Sequence, residues 1–406
     1  MSNQYRVQLN GDDGERPGSN RKDSLCLRPR VSILAVVGVV FILFMAFAVP
    51  LIVVSSKKES DNDGNSSACP LLPAEDAAVE STSFSEITVF SDEFYQYADR
   101  GVTMELLSLA PYSYGYLEGP LWDEETQSVL FSDVAGNSIY SWNNRTGVSV
   151  FLRPAGYIGA LTNAGVPFPG PNGQIFGSTN NGRKHVFCQQ GEARIVEVSI
   201  LESFTPIAEE YDGKKFLSPN DVVQDDFGWY WFTDLNIGRL GNADRVNVTG
   251  VYAAKNGTVV RVIDDVVNPN GIAHSSDNSV LVSQSGNMSS NSIAIAWKYY
   301  FERIPALDNQ PVSTTNRTVF IDATPFRAQY GWIGHGDGMK LDQFGNAWMA
   351  MPGGILCVNK QGELLARLDV QATATNVWIA SGGGRQPYIY FTTATPNRLI
   401  RLRLKA

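Results

Sequence analysis

The sequence predicts an all-β protein, a six-bladed β-propeller preceded by a single N-terminal transmembrane helix. A unit made of a β-run, a polar turn and a second β-run recurs six times, which is typical of propellers. The 406-residue chain contains 37 glycines and 11% aromatic residues, a composition that favours turn-rich β structure. One long apolar segment near the N-terminus contains no charged residue.

The N-terminal region predicts a membrane anchor. Residues 1–30 form a polar tail that we expect to be cytosolic, and residues 31–54 are uncharged and long enough to cross a bilayer. Basic residues predominate before the span, so we expect a single-pass type II protein of the secretory pathway, at the ER/Golgi or cell surface, with the large domain lumenal or extracellular. A cleaved signal peptide is the alternative, which the long polar lead and the length of the span disfavour.

Residues 55–85 are rich in Ser, Asp and Asn and are interpreted as a linker. Six N-glycosylation sequons support exposure to the lumen or to the cell exterior. Their acceptor residues are Asn65, Asn144, Asn247, Asn256, Asn287 and Asn316.

Residues 86–406 are predicted to form the propeller. The repeated unit lies at residues 129–142, 185–198, 230–252, 280–297, 347–359 and 388–402. No helical period persists beyond about two turns. An all-β sandwich is the alternative, but it gives no reason for the repeat. Radial arrangement would bring the starts of the innermost strands to one end of a central channel.

Four short segments place oxygen-bearing side chains before strand pairs of units one, three, four and five. These side chains are Glu118, Asn220, Asn270 and Asp337, and each lies next to Gly or Pro, where a chain turns sharply or approaches a ligand. Two carboxylates and two amides suit a hard cation such as Ca²⁺. The sequence therefore predicts a divalent-cation site on the channel axis, and Zn²⁺, Mn²⁺ or Mg²⁺ are alternatives to calcium.

The flanks of these segments resemble the gluconolactonase family, lactone hydrolases related to regucalcin (senescence marker protein). The motifs that carry the resemblance are Glu118-Gly119-Pro120-Leu121-Trp122-Asp123, Ser218-Pro219-Asn220-Asp221 followed by Trp231-Phe232-Thr233-Asp234, Pro269-Asn270-Gly271, and Gly336-Asp337-Gly338-Met339. The resemblance covers roughly residues 90–406. It departs from the family pattern at Gly336, where the family usually has Pro, and at Gln189-Gln190, where we expected a Gln/His-Gly pair.

The resemblance implies divalent-cation-dependent hydrolysis of lactones or related esters, with water as nucleophile. Asp337 is the candidate catalytic base, because a carboxylate beside the attacking water can take its proton. Coordination lowers the basicity of a carboxylate, so the alternative that Asp337 is only a metal ligand stays open. Asn172 and His335 are candidate substrate contacts. The expected partners are a small lactone or ester and, through the anchor, a membrane.

The sequence contains few motifs of other functional classes. No nucleophile elbow, zinc-protease helix or P-loop is present, and a net charge of −9 argues against nucleic-acid binding. Of the cysteines outside the tail, Cys188 and Cys357 lie in apolar runs and are expected to be buried, while Cys69 lies in the linker. Two alternatives stay open, a strictosidine-synthase-like propeller acting as a membrane-anchored binding module and a non-catalytic calcium-binding scaffold.

Overall fold

The computed structural model covers the propeller and its immediate N-terminal strands. It describes residues 81–160, 165, 167–179, 182–198, 203–286, 293–332, 334–380 and 387–405. The predicted tail, the predicted span at residues 31–54, Cys69, Asn65 and Asn287 lie outside these residues. Within the described ranges, no helix has the length and apolar character needed to cross a bilayer. The transmembrane helix therefore stays a prediction.

The described strands form six radial sheets and one separate two-stranded hairpin, which confirms the all-β six-bladed propeller. Three short strands come first: β1 (Ser81–Phe84), β2 (Ile87–Val89) and β3 (Met104–Leu107). Blade 1 comprises β4 (Leu117–Asp123), β5 (Ser128–Asp133), β6 (Ser138–Asn143) and β7 (Gly147–Leu152). Blade 2 comprises β8 (Gln174–Thr179), β9 (Gly182–Gln189), β10 (Arg194–Val198) and β11 (Phe204–Ala208).

A small hairpin, β12 (Glu210–Tyr211) and β13 (Lys214–Lys215), leads to the third blade. Blade 3 comprises β14 (Pro219–Gln224), β15 (Tyr230–Asp234), β16 (Gly250–Lys255) and β17 (Thr258–Ile263). Blade 4 comprises β18 (Pro269–Ser275), β19 (Ser279–Gln284), β20 (Ile295–Ile304) and β21 (Gln310–Asp322), after which comes the short helix α1 (Thr324–Tyr330).

The last two blades complete the circle. Blade 5 comprises β22 (Met339–Leu341), β23 (Ala347–Met351), β24 (Gly354–Val358) and β25 (Leu364–Leu368). Blade 6 comprises β26 (Thr373–Ala380), β27 (Tyr388–Ala394) and β28 (Arg398–Arg403). The six repeats predicted from the sequence correspond to the second and third strands of the six blades.

The N-terminal strands close the ring. β3 pairs antiparallel with β28 and β1 pairs with β3, so blade 6 takes its two outer strands from the opposite end of the sequence. β2 pairs with β25 as an additional outer strand of blade 5. Because β1 begins at Ser81, the predicted linker overlaps the first strand, and the β structure begins before the predicted boundary at residue 86.

The core lies between the blades and is built on large aromatic residues of the second strands. Trp231 in blade 3 and Trp348 in blade 5 are fully buried. Each indole donates a hydrogen bond to an aspartate at the preceding turn, Trp231 to Asp225 (2.8 Å) and Trp348 to Asp342 (3.1 Å). Both turns share the pattern Asp-x-Phe-Gly-x-x-Trp, and the same aspartates accept backbone N–H groups of the turn. The pattern thus fixes a turn and satisfies a buried indole together.

The expected burial of two cysteines is confirmed. Cys188 in β9 and Cys357 in β24 are free thiols with no exposed surface. Burial raises the thiol pKa of both residues well above the ordinary value. Both side chains are therefore core packing groups that stay protonated and unreactive.

Glycines next to the predicted oxygen donors allow neighbouring inner strands to touch. A Cβ on Gly271 would lie 2.2 Å from the backbone oxygen of Asp337, and a Cβ on Gly338 would lie 2.0 Å from Cγ of Asn376. These two glycines were interpreted as sites of a sharp turn or of close approach to a ligand. The structure gives a different cause, which is the close approach of the next blade.

Replacing Gly271 with alanine tests this packing. Because the added Cβ would overlap the backbone of blade 5, we expect Gly271→Ala to lower the free energy of unfolding by about 3 kcal/mol. Chemical denaturation followed by tryptophan fluorescence measures it. The matched control is Gly101→Ala, where φ is +78° but no atom lies within 4 Å of the added Cβ. For Gly101→Ala we expect the free energy of unfolding to fall by only about 1 kcal/mol, from the backbone strain of a positive φ. Equal losses in the two variants would contradict the packing explanation.

Candidate active site at one end of the central channel

Every inner strand carries a polar side chain at the same end of the channel. These side chains are Glu118 (β4), Asn172 (two residues before β8), Asn220 (β14), Asn270 (β18), Asp337 (two residues before β22) and Asn376 (β26), and none is more than 6% exposed. Four of them were predicted from the sequence as ligands and Asn172 as a substrate contact, but Asn376 was not predicted. Asn376 could have been recognised from its position in the sixth repeat, which is equivalent to the positions of the other five side chains.

Four oxygen atoms in this cluster are buried without a hydrogen-bond partner. They are the Oδ1 atoms of Asn172, Asn220, Asn270 and Asp337. Two of the amides are held in orientation from the other side, because Asn172 Nδ2 donates to Gln190 Oε1 (2.7 Å) and Asn270 Nδ2 donates to Ser285 Oγ (3.0 Å). A buried acceptor without a partner costs about 1–3 kcal/mol. Four such oxygens at one channel end therefore fit a cation or a donating ligand.

Glu118 completes the oxygen-rich cluster. Its Oε2 accepts hydrogen bonds from the Gly119 N–H (2.8 Å) and from Asn376 Nδ2 (2.9 Å), so Asn376 orients Glu118 rather than presenting its own oxygen. Burial, followed by the charge of Asp337, raises the pKa of Glu118 well above its usual range. Burial likewise raises the pKa of Asp337. A divalent cation between them would favour both charged forms.

His335 lies beside Asp337, with 3.5 Å between His335 Nε2 and Asp337 Oδ2. Burial lowers the pKa of His335, but the hydrogen bond and charge of Asp337 outweigh it, and the pKa is raised above 6.5. His335, predicted to contact substrate, is thus placed where it can hold one oxygen of Asp337 while Oδ1 stays free. His185 is buried against Gln174 (2.7 Å), and His274 lies next to Arg303 (3.5 Å).

A ring of hydrogen bonds links each blade to the next at the level of the site. The bonds, 2.5 to 2.8 Å long, run from Ser132 Oγ to Asn172 O, Gly173 N to Asn220 O, Thr233 Oγ1 to Asn270 O, Ser283 Oγ to Asp337 O, Gly338 N to Thr375 O, and Thr375 Oγ1 to Leu117 O. The backbone carrying each site side chain is therefore fixed by an adjacent blade. This role was not predicted from the sequence, although Thr233 stood in the quoted motif Trp231-Phe232-Thr233-Asp234.

The aspartates that follow Ser132 and Thr233 anchor the loops that lead into the site. Asp133 accepts the N–H groups of Gly115 and Tyr116 (3.1 Å each), just before Glu118. Asp234 accepts the N–H groups of Leu217 (2.9 Å) and Ser218 (2.6 Å), just before Asn220. In blades 1 and 3 the Ser/Thr-Asp pair thus positions one candidate ligand of its own blade and the backbone of the next.

Removing one hydroxyl of the ring tests its structural role. Ser283 Oγ accepts the Gly271 N–H (2.8 Å) and donates to Asp337 O (2.7 Å), so Ser283→Ala leaves two buried groups unpaired. We expect the free energy of unfolding to fall by about 2 kcal/mol. Denaturant titration measures it against the exposed control Ser149→Ala, which we expect to change stability by less than about 0.5 kcal/mol. A Ser283→Ala protein as stable as the control would show that the hydroxyl does not link the blades.

The described part of the chain holds no group of three or more His, Cys, Asp or Glu side chains arranged to bind a metal. The candidate set instead combines the carboxylates of Glu118 and Asp337 with amide oxygens, a hard donor set.

A family comparison fits this site. Residues 117–395 match the model of the SMP-30/Gluconolactonase/LRE-like region, a range that begins one residue before Glu118 and contains all six inner strands. The chain belongs to this family. Membership suggests lactone hydrolysis.

Individual relatives agree with the family assignment. A gluconolactonase from Zymomonas mobilis is 29% identical over 297 residues, which are 71% of this chain and 78% of the relative. A gluconolactonase structure from Xanthomonas campestris superposes with a TM-score of 0.63 at 21% identity, covering 81% of this chain and 98% of that one. A calcium-binding protein, regucalcin, from Agrobacterium tumefaciens superposes with a TM-score of 0.52 at 15% identity, covering 73% and 94%. The two structures support the shared fold.

Proposed function

We propose that the propeller hydrolyses lactones or related esters with the help of a divalent cation, foremost Ca²⁺, held by Glu118, Asn220, Asn270 and Asp337. The observation that carries the proposal is the set of buried, unpaired oxygens at one channel end. An all-oxygen set suits calcium better than softer metals. The calcium-binding neighbour from Agrobacterium supports the same choice.

The chain's own residues would divide the work of hydrolysis. A bound cation would polarise the lactone carbonyl and stabilise the negative charge that develops on its oxygen. Asp337 takes a proton from the attacking water, whose oxygen bonds to the carbonyl carbon. The ring C–O bond then breaks, the proton passes to the leaving oxygen, and a hydroxy acid results. Asn172, whose Oδ1 is free and whose Nδ2 is held by Gln190, accepts a hydrogen bond from a substrate hydroxyl.

Two substitutions separate the base role of Asp337 from a role as ligand only. Glu118→Gln and Asp337→Asn each remove one negative charge while keeping an oxygen, so we expect each to weaken Ca²⁺ binding about tenfold or more. Saturating Ca²⁺ should restore hydrolysis in Glu118→Gln. It should not restore Asp337→Asn, whose turnover should stay about 10³-fold below wild type because the base is missing.

The measurement is hydrolysis of a lactone panel by the full-length chain across a Ca²⁺ titration and after chelation. The exposed carboxylate Glu302 gives the control, since Glu302→Gln should match wild type throughout. Full recovery of Asp337→Asn at high Ca²⁺ would show that Asp337 is a ligand only. A folded, calcium-loaded wild-type chain that turns over no lactone would favour a binding module or a calcium scaffold over an enzyme.

We infer that the propeller is translocated, as a type II membrane protein anchored by residues 31–54. The inference rests on the apolar span, the basic residues before it and the placement of the sequons. All four sequon asparagines that the structure describes are exposed, at Asn144, Asn247, Asn256 and Asn316. A sequon must be accessible to carry a glycan, and these four meet that condition.

Expression in a eukaryotic secretory host tests the topology. We expect treatment with an N-glycosidase to increase electrophoretic mobility, and microsomes to protect the propeller from added protease. Replacing the four exposed asparagines with glutamine should remove most of the mobility shift. A full-length chain insensitive to the glycosidase and digested in intact microsomes would contradict the inference.

A further inference from the structure

One buried ion pair lies in the channel next to the candidate cation site and takes no part in the proposed reaction. Asp221 follows Asn220 on β14 and has no exposed surface, and Lys340 follows Asp337 by three residues on β22. Lys340 Nζ lies 3.1 Å from Asp221 Oδ2 and 3.4 Å from Oδ1. The lysine side chain is itself only 13% exposed. The pair joins blade 3 to blade 5, so it reaches past blade 4 across the channel.

The surroundings of Asp221 place it on the same axis as the proposed ligands. Its carboxylate accepts the Val222 N–H (2.9 Å), and a Cβ on Gly173 of blade 2 would lie 2.3 Å from its Oδ1. The charge of Asp221 is among the causes that raise the pKa of both Glu118 and Asp337. The three carboxylates are therefore near enough to one another for their charges to interact.

The charges in this channel balance for one divalent cation. Glu118, Asp337 and Asp221 carry three negative charges when ionised, and Lys340 supplies one positive charge. With His335 neutral, the remaining charge of −2 is what a single divalent ion neutralises. A buried carboxylate needs a cation partner, and without Lys340 the partner for Asp221 would have to come from solution.

We propose that the Lys340 ammonium occupies the position of a second cation, so that the channel takes one divalent ion and Asp221 is kept from ligating another. In this role Lys340 determines the stoichiometry and affinity of the metal site and does not itself react. The inference rests on the proposed cation site, and it adds a residue outside the ligand set.

Removing the ammonium should open a second cation site. Lys340→Met keeps the aliphatic length of the side chain and leaves Asp221 without a partner. We expect the full-length wild-type chain to bind one Ca²⁺, Lys340→Met to bind two, and Lys340→Arg to bind one. In the double variant Asp221→Asn/Lys340→Met the count should return to one. Equilibrium dialysis with metal analysis by atomic emission measures the count, and melting temperature with and without Ca²⁺ gives an independent readout.

A second comparison does not depend on Lys340→Met folding. Asp221→Asn leaves the Lys340 charge uncompensated near the remaining site, so we expect its Ca²⁺ dissociation constant to rise about tenfold or more. Asp221→Asn/Lys340→Met removes both charges and should return the dissociation constant to near the wild-type value. Calorimetric titration with CaCl₂ measures both.

The outcomes separate this inference from the proposed function. A wild-type chain that binds no Ca²⁺ would contradict the proposed function. If the wild-type chain and Lys340→Met each bind one ion, the role of Lys340 is contradicted and the proposed function is not. Equal dissociation constants for Asp221→Asn and the double variant would overturn that role as well.

Discussion

The close approach of six inner strands at one end of the channel is the constraint on which the candidate site depends. Each strand brings one polar side chain to this level, and the preceding blade holds the backbone beside it. Glycines such as Gly271 and Gly338 permit the contact, since any side chain there would overlap the neighbouring blade. Packing between blades thus explains the glycines beside the oxygen donors. The proposed cation binding explains the donors themselves.

This arrangement holds an electrostatically unfavourable group of side chains together at the site. The strands are stabilised by hydrophobic packing between blades and by the hydrogen-bond ring, and this stability holds carboxylates and amide oxygens together although several lack partners. Asn376, His335 and Lys340 each satisfy part of the cluster from within the protein. The oxygens that remain without a partner have the negative charge and the donor type that a divalent cation would bind.

Much of the fold could be predicted from the sequence because each blade repeats a local pattern. Alternating strands, the turn aspartate before Trp348 and the Asn-Gly or Asp-Gly segments are visible within a few residues of one another. The candidate site residues were predicted for the same reason, since the oxygen donors stand at one position of the repeat. Local pattern could not show the closure of blade 6 by β1 and β3, because strand order depends on pairing between the two ends of the chain.

Contacts across the channel were equally hidden. Asp221 stands next to the candidate ligand Asn220, but its neighbours in the sequence do not indicate its partner. It does accept a backbone N–H, but its main partner is Lys340, 119 residues away. His335 was predicted to contact substrate, and its contact with Asp337 follows from the loop path before β22. Asn376 was not predicted, because only the assembled ring shows that it orients Glu118.

The central claim is that Glu118 and three of the unpaired oxygens, those of Asn220, Asn270 and Asp337, hold one divalent cation. A crystal structure of the protein grown with Ca²⁺ tests it most directly. The account predicts a single ion on the channel axis, about 2.4 Å from oxygens of Glu118, Asn220, Asn270 and Asp337. A channel that holds only water at saturating Ca²⁺, or an ion bound elsewhere, would contradict it.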